Sequence, residues 1–313
     1  MTMILSIERL EEIWNGISPY TGGFLLVTGD HPLAFHIGYI SDENKCFIVL
    51  NIGKYFSITS SKAITAECIQ LSDSTFSLKF TLNYPSLDEL FIKLCWDLID
   101  TSRNDTSPVE KIIQQYKSWQ ILLQKTESGV MSLSMQKGLI GELLYLEESI
   151  NRMDVSLALQ AWVGPEGSDQ DFMFIDHWSE IKAVAISSNE VGISSLQQLD
   201  RYDKGFLVLY FIDKTTSFGQ HVFSLLELIT RIRYRLINSR DRDVFDCKIV
   251  KCGFINNEAE RYNEFRYRLA EKRVFMVDNE FPRLTKKNVP SGVTNSKYWI
   301  DLSAIDPFRA EED

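Results

Sequence analysis

Apolar residues change their spacing several times along this chain, and each change marks a different kind of element. In the first 17 residues Glu8, Arg9, Glu11 and Glu12 are set among apolar positions, the pattern of an amphipathic helix and not of a secretion signal. Short β-rich runs follow at Gly23–Val27, Leu33–Tyr39, Cys46–Leu50, Ala63–Leu71 and Thr75–Leu82, with turn-forming residues between them. That recurrence predicts an antiparallel sheet of meander type, ending near Pro85. Helical spacing then takes over. One helix is expected over Ser86–Ile99, behind a Ser-Leu-Asp-Glu start that resembles a capping signal. A second is expected from Pro108 to about Lys125, and a third from Ser132 or Ser134 to Ile150, with Leu139, Leu143, Leu146 and Ile150 in one stripe.

Beyond Trp162 the pattern mixes both types. Asp171–Ile175 and Glu180–Ile186 read as two strands around a polar turn at Asp176-His177. Ser194–Tyr202 reads as a short helix, and Phe206–Ile212 as a nearly continuous apolar strand buried on both faces. A long helix over Phe218–Leu236, a basic helix over Glu258–Lys272 and strands near Val274–Val277 and Tyr298–Leu302 complete the prediction. The chain is therefore expected to be an α/β protein in three parts: a β-rich module over 1–85, a helical connector over 86–130, and a core over 131–313 with a basic helical extension. The acidic end after Phe308 is expected to fray.

Charge alters this picture in one place. The formal net charge of −10 argues against a protein that coats nucleic acid. From Lys214 to Lys287, however, 16 Lys and Arg stand against 10 Asp and Glu, so a local patch can still steer a polyanion. Arg231, Arg235, Arg266 and Lys272 sit at helical spacings there and are the candidate DNA contacts, against the alternative of an ordinary solvated face. The five cysteines are odd in number and form no CxxC pair, which points to reduced thiols in a cytoplasmic protein and away from a zinc site. No apolar run approaches the ~20 residues needed to span a bilayer. Walker-type, Gly-x-Gly-x-x-Gly and Gly-x-Ser-x-Gly motifs are absent from the sequence.

The stretch that carries chemistry runs from Gly167 to Lys182. Hydrolysis of a phosphodiester needs a deprotonated water and a counter-charge for the phosphorus oxygens. A divalent metal held by carboxylates supplies both. A tight turn near Asp176 would bring Asp171 opposite Glu180 on one face of a hairpin. Lys182, two residues on, would share that face and could orient the water. The competing reading is a partly buried ion pair beside a hairpin. Asp169 competes with Asp171, but choosing Asp171 sends Phe172 and Phe174 to the core.

Two neighbouring segments bear on the choice. Glu142 is the one acid in Gly138-Leu-Ile-Gly-Glu-Leu-Leu-Tyr-Leu146, either a surface residue beside the stripe or an inward-pointing ligand. Gly138 and Gly141 each cost roughly 1 kcal/mol in a helix interior, which predicts close packing. Gln198 and Tyr202, four apart, would share one helical face, where they could touch a phosphate or the lysine, or simply form a polar surface.

Helix with Glu, strand with Asp, strand with Glu-x-Lys, helix with Gln-x3-Tyr is an order that resembles the PD-(D/E)XK nucleases. More narrowly, Gly138–Leu143, Ala161-Trp-Val-Gly-Pro165, Asp171-Phe172 and Glu180-Ile-Lys182 resemble a bacterial PD-(D/E)XK family associated with restriction and phage-defence gene clusters. The strong part of the resemblance covers about Ser134–Asp213. It implies a restriction-endonuclease-like core, a mixed sheet flanked by helices, carrying a β-rich N-terminal module. It further implies Asp171 and Glu180 as ligands of Mg²⁺, with Mn²⁺ as a substitute, Lys182 as the catalytic cation, Glu142 as an accessory carboxylate, and Gln198 and Tyr202 as supporting residues. Gln170 stands where the motif has proline, a position that neither binds metal nor moves protons. The expected activity is endonucleolytic hydrolysis of DNA by the cleaving subunit of a restriction-type system, with other subunits or a second copy as partners. An RNA substrate and a non-catalytic assembly role are the alternatives.

Overall fold

The computed structural model describes residues 5–310 except 21–22, 30, 41–43, 73, 126–130 and 255, and only the backbone at 121, 122, 124, 125 and 256–258. The extreme C-terminal residues 311–313, part of the end expected to fray, lie outside the described residues. The chain forms two compact units, residues 1–128 with 238–253 and residues 129–237 with 254–313.

The first unit opens with α1 (Ile7–Asn15), capped by the Ser6 hydroxyl, which accepts from the Arg9 N–H. Five strands follow: β1 (Gly23–Leu26), β2 (Ala34–Ile40), β3 (Asn44–Ile52), β4 (Ile64–Ser72) and β5 (Thr75–Leu82). Alternation buries Phe35, Ile37, Phe47, Val49, Leu78 and Phe80. All pairings are antiparallel, in the order β1-β2-β3-β5-β4. The simple meander is thus broken: β5 takes the place beside β3, and β4, which exposes Glu67, Gln70 and Leu71, becomes an edge. An apolar strand gains more from the central place than a polar one does. Two helices, α2 (Asp88–Ser102) and α3 (Pro108–Lys125), belong to the same core, with Trp14 against Phe91 and Phe80 edge-on to Tyr116. Ser86 does not cap α2. It lies in a 3₁₀ turn at Pro85–Leu87, and α2 starts at Asp88 without a side-chain cap.

The second unit begins with α4 (Leu133–Arg152), capped by Ser132, and α5 (Val155–Ala161), capped by Asp154. It continues through β6 (Phe172–Met173), β7 (Trp178–Val184), β8 (Glu190–Ile193), β9 (Gly205–Thr215), β10 (Val222–Phe223) and α6 (Leu225–Arg235). The chain then returns to the first unit for α7 (Ser239–Lys251), where Lys251, Gln115 and Trp119 all bond the buried Asp97. Finally β11 (Arg266–Met276), β12 (Tyr298–Asp301) and the short α8 (Leu302–Ile305) close the second unit. None of the described helices is long and apolar enough to cross a membrane.

One sheet of this unit has the order β10-β11-β9-β7-β6 and the other pairs β12 with β8. β7 and β9 run parallel and the remaining pairs antiparallel. As expected, β9 is buried through Ile212. A strand so buried needs backbone partners along both edges, and β11 provides one of them. This need corrects the basic helix expected over Glu258–Lys272, which is a 3₁₀ segment at Asn256–Asn263 followed by a strand. The helix expected from Phe218 starts only at Leu225, where Ser224 and Glu227 form a reciprocal capping box. The helix expected over Ser194–Tyr202 is one 3₁₀ turn, Gln197–Leu199.

Candidate active site

The site is built on the hairpin of β6 and β7. Phe174 N–H bonds the His177 carbonyl across the turn, and the register pairs Phe172 with Ser179 and Met173 with Trp178. One residue further, the same register sets Asp171 opposite Glu180. Trp178 anchors the hairpin against β9 at Gly205, where a Cβ would stand 2.0 Å from the indole, so that position needs glycine. Along β7 the side chains alternate. Ser179, Ile181 and Ala183 face α4: Ser179 meets the Tyr145 hydroxyl at 2.8 Å, and a Cβ on Gly141 would be 3.4 Å from Ile181. Of the two helix glycines, then, Gly141 is the one in close packing, and Gly138 faces open space. Glu180 and Lys182 take the other face.

Four charged groups converge there. Lys182 Nζ lies 2.6 Å from Glu180 Oε1. Asp171 Oδ2 accepts the Ile181 N–H at 2.8 Å, which fixes the carboxylate plane and leaves Oδ1 free of that bond. Glu142 reaches the group from α4, with its Oε2 accepting the Trp162 indole N–H at 2.7 Å. The Gly-Pro turn at Gly164 closes the space: a Cβ there would stand 3.1 Å from both Asp171 Oδ1 and Glu142 Oε2. Both Val163 and Gly164 donate to the Asp171 carbonyl. The competing Asp169 is exposed.

Crowding three acids around one cation shifts every group. Burial, and then the Asp171 charge, push the Glu180 carboxyl up to about 8, although Lys182 pulls the other way. Burial and Asp171 likewise hold the Glu142 carboxyl well above its ordinary range, against the pull of the Trp162 hydrogen bond. Asp171 is raised by burial, with Lys182 and the Ile181 N–H opposing. Burial alone would lower Lys182, but Glu180, Asp171 and Glu142 more than offset it, so the ammonium is retained.

The donor set suits a hard divalent cation. Glu180 is fully buried, and its Oε2 has no hydrogen-bond partner, a costly arrangement for a carboxylate unless something else binds it. Among the described residues no three His, Cys, Asp or Glu side chains are arranged to hold a metal ion together. Asp171 and Glu180 therefore offer two carboxylates, with Glu142 behind them, tied to Trp162. Mg²⁺ uses one or two carboxylates and keeps its remaining ligands as water.

A family model described as "Putative PD-(D/E)XK family member" matches residues 10–303. The chain belongs to this family. No curated protein and no solved structure matches it. Members of PD-(D/E)XK nuclease families typically use divalent metals, in keeping with the oxygen donors present.

The remaining sequence candidates lie apart from these four. Gln198 and Tyr202 do not share a helical face. Gln198 Oε1 accepts the Ser194 N–H, which commits that oxygen to closing the turn, and Tyr202 lies beyond it, exposed. Gln170, not singled out as functional in sequence, is buried beside Asp171, and its amide donates to the Gln197 and Gln198 carbonyls. Trp162 was also missed as a site residue, although it stands within the Ala161–Pro165 motif. Arg231 makes a two-pronged pair with Glu147, which Arg235 also approaches at 3.4 Å. Arg266 pairs with Glu227, and Lys272 with Glu148. Arg266 and Lys272 lie on β11, so the helical face expected for them does not exist.

Proposed function

We propose that this protein is a metal-dependent endonuclease that hydrolyses DNA phosphodiester bonds, acting as the cleaving subunit of a restriction-type defence system in the cytoplasm. The observation that carries the reading is the meeting of Asp171, Glu180 and Lys182 at one end of a hairpin, with a buried carboxylate oxygen of Glu180 left unpartnered. Asp171 and Glu180 would hold Mg²⁺, or Mn²⁺ in its place, which when bound supplies Lewis acidity and a water of lowered pKa. Lys182 orients the attacking water and balances the charge that develops on the phosphoryl oxygens. Glu142, the accessory carboxylate, is steered by Trp162. Gln198 supports the site through its carbonyl, which holds the residue before Asp171. Arg231, Arg235, Arg266 and Lys272 would contribute phosphate contacts by exchanging their carboxylate partners. Cutting both strands of a duplex requires two such sites, hence a second copy or a partner subunit.

Replacing Lys182 by Ala tests this. Cleavage with Mg²⁺ or Mn²⁺ should fall roughly 10²–10³-fold, the cost of losing one electrostatic contact to the transition state, while DNA binding persists. Asp171→Ala should be at least as severe. Thermal melts of both variants guard against simple unfolding. Undiminished cleavage by a double variant, assayed with any partner subunits present, would refute the assignment. The 2.6 Å pair of Lys182 with Glu180 also fits a second reading, in which the ion pair is structural and the chain is a non-catalytic DNA-binding or assembly component. A wild-type chain inert toward DNA and RNA with either metal would select it.

A further inference from the structure

A stretch of the second unit stands out by charge. From Phe281 to Ile300 the chain carries Arg283, Lys286, Lys287 and Lys297 and no Asp or Glu, in a protein of formal net charge −10. Lys286, Lys287 and Lys297 are exposed. Unlike the paired cations Arg231, Arg235, Arg266 and Lys272, Lys287 and Lys297 make no ion pair with a carboxylate among the described residues. Each lies instead over an aromatic ring: Lys287 Nζ is 4.3 Å from the centre of Tyr202, and Lys297 Nζ is 5.3 Å from that of Trp299. Both rings are open to solvent, Tyr202 at 61% and Trp299 at 56% exposure. Burial therefore does not account for them.

The start of this stretch, at Arg283 and Lys286, is tied to the carboxylate site by hydrogen bonds. The Arg283 guanidinium donates to the Leu199 and Arg201 carbonyls, and the Lys286 N–H bonds Asp200 Oδ2. The turn that includes these residues holds Gln170 through the Gln197 and Gln198 carbonyls, and Gln170 precedes Asp171. Trp299 is held flat against β8 at Gly192, its indole nitrogen 3.2 Å from where a Cβ would be. Glycine here lets the ring lie close to the strand, where a side chain would press against it.

An exposed ring with an ammonium beside it, in a stretch without acids, matches one ligand chemistry well. The ring stacks on an unpaired base, and the lysine meets the adjoining phosphate. A duplex offers no base faces along its length, so this pairing is of use only where bases are unstacked. We infer that Tyr202 with Lys287 and Trp299 with Lys297 form a base-stacking platform for single-stranded nucleic acid leading to the carboxylate site. The inference rests on the proposed nuclease reading only in naming the strand that the site would act on.

The test is fluorescence anisotropy of the full chain without divalent metal. The probes are a labelled single-stranded oligonucleotide, the same strand with abasic positions, and its duplex. The intact single strand should bind most tightly. Tyr202→Ala and Trp299→Ala should each weaken it about tenfold or more, because a stacked base contributes on that scale, and should leave abasic binding nearly unchanged. Lys286→Gln, Lys287→Gln and Lys297→Gln combined should flatten the salt dependence for both strands. Equal affinity of the aromatic variants and wild type for the intact strand overturns the platform, as does a wild type that prefers duplex or binds no single strand. Cleavage is scored separately. Binding by this platform without metal-dependent cutting defeats the nuclease reading alone, and cutting that the aromatic variants leave untouched defeats the platform alone.

Discussion

Replacing Glu180 by Gln isolates the carboxyl whose buried Oε2 has no hydrogen-bond partner. The change keeps the shape of the side chain and removes its titration. In the fold the wild-type carboxyl holds its proton up to about pH 8, whereas in an unfolded chain it would release it near 4.5. Between those limits the folded state binds more protons than the unfolded one. Stability therefore falls as pH rises, is highest below 4.5 and reaches its lower level above 8. The window corresponds to about 5 kcal/mol at its upper end, comparable to the cost of leaving one buried charge without its partner. Glu142 and Asp171 are displaced upward too, so they add in the same direction and titrate together with Glu180.

For the metal-free protein in EDTA, the wild type should thus lose stability between pH 5 and 8, and Glu180→Gln should show a flatter profile and be the more stable of the two at pH 8. Amide hydrogen exchange in β7 and β9, corrected for its intrinsic pH dependence, reports on this unit without interference from the other. Millimolar Mg²⁺ should then stabilise the wild type at pH 8, because it binds the ionised carboxylates of the fold alone, and should stabilise the Gln variant less. Parallel pH profiles for the two proteins would mean that Glu180 is not held protonated, and the electrostatic account of the site would be wrong.

Two other perturbations test the frame around those carboxylates. Gly164→Ala places a methyl carbon 3.1 Å from Asp171 Oδ1 and Glu142 Oε2; an overpacking cost of about 1–3 kcal/mol, together with metal binding weakened in calorimetry, is expected, and unchanged metal affinity would mean the turn does not border the ligand site. Trp162→Phe removes the donor to Glu142 Oε2 and should destabilise by about 1–3 kcal/mol while raising the Glu142 carboxyl further; a carboxyl titration by infrared spectroscopy that does not move would show that the indole bond is not holding it.

The hairpin was legible because its information is local. Two antiparallel runs around Asp176-His177 can be registered from sequence alone, and the register, which decides which side chains meet, places Asp171, Glu180 and Lys182 on one face. What was illegible depended on distant partners. Arg266–Lys272 contains many residues that favour a helix, but β9 is buried on both faces and requires a neighbour with free backbone groups, and no window of sequence states that requirement. The same holds for Gln198. Its spacing to Tyr202 suits a helix, but Gln170, nearly thirty residues earlier in the chain, takes the carbonyls of the turn, and Ser194 takes the side chain. The pairing of charges was hidden for a similar reason. Counting Lys and Arg over a long segment picked out cations that the fold neutralises with Glu147, Glu148 and Glu227. The lysines left without such partners sit in a shorter segment distinguished by its lack of acids. An uncompensated cation can meet a polyanion without first giving up a partner, and which cations those are can be judged only after the fold has assigned partners.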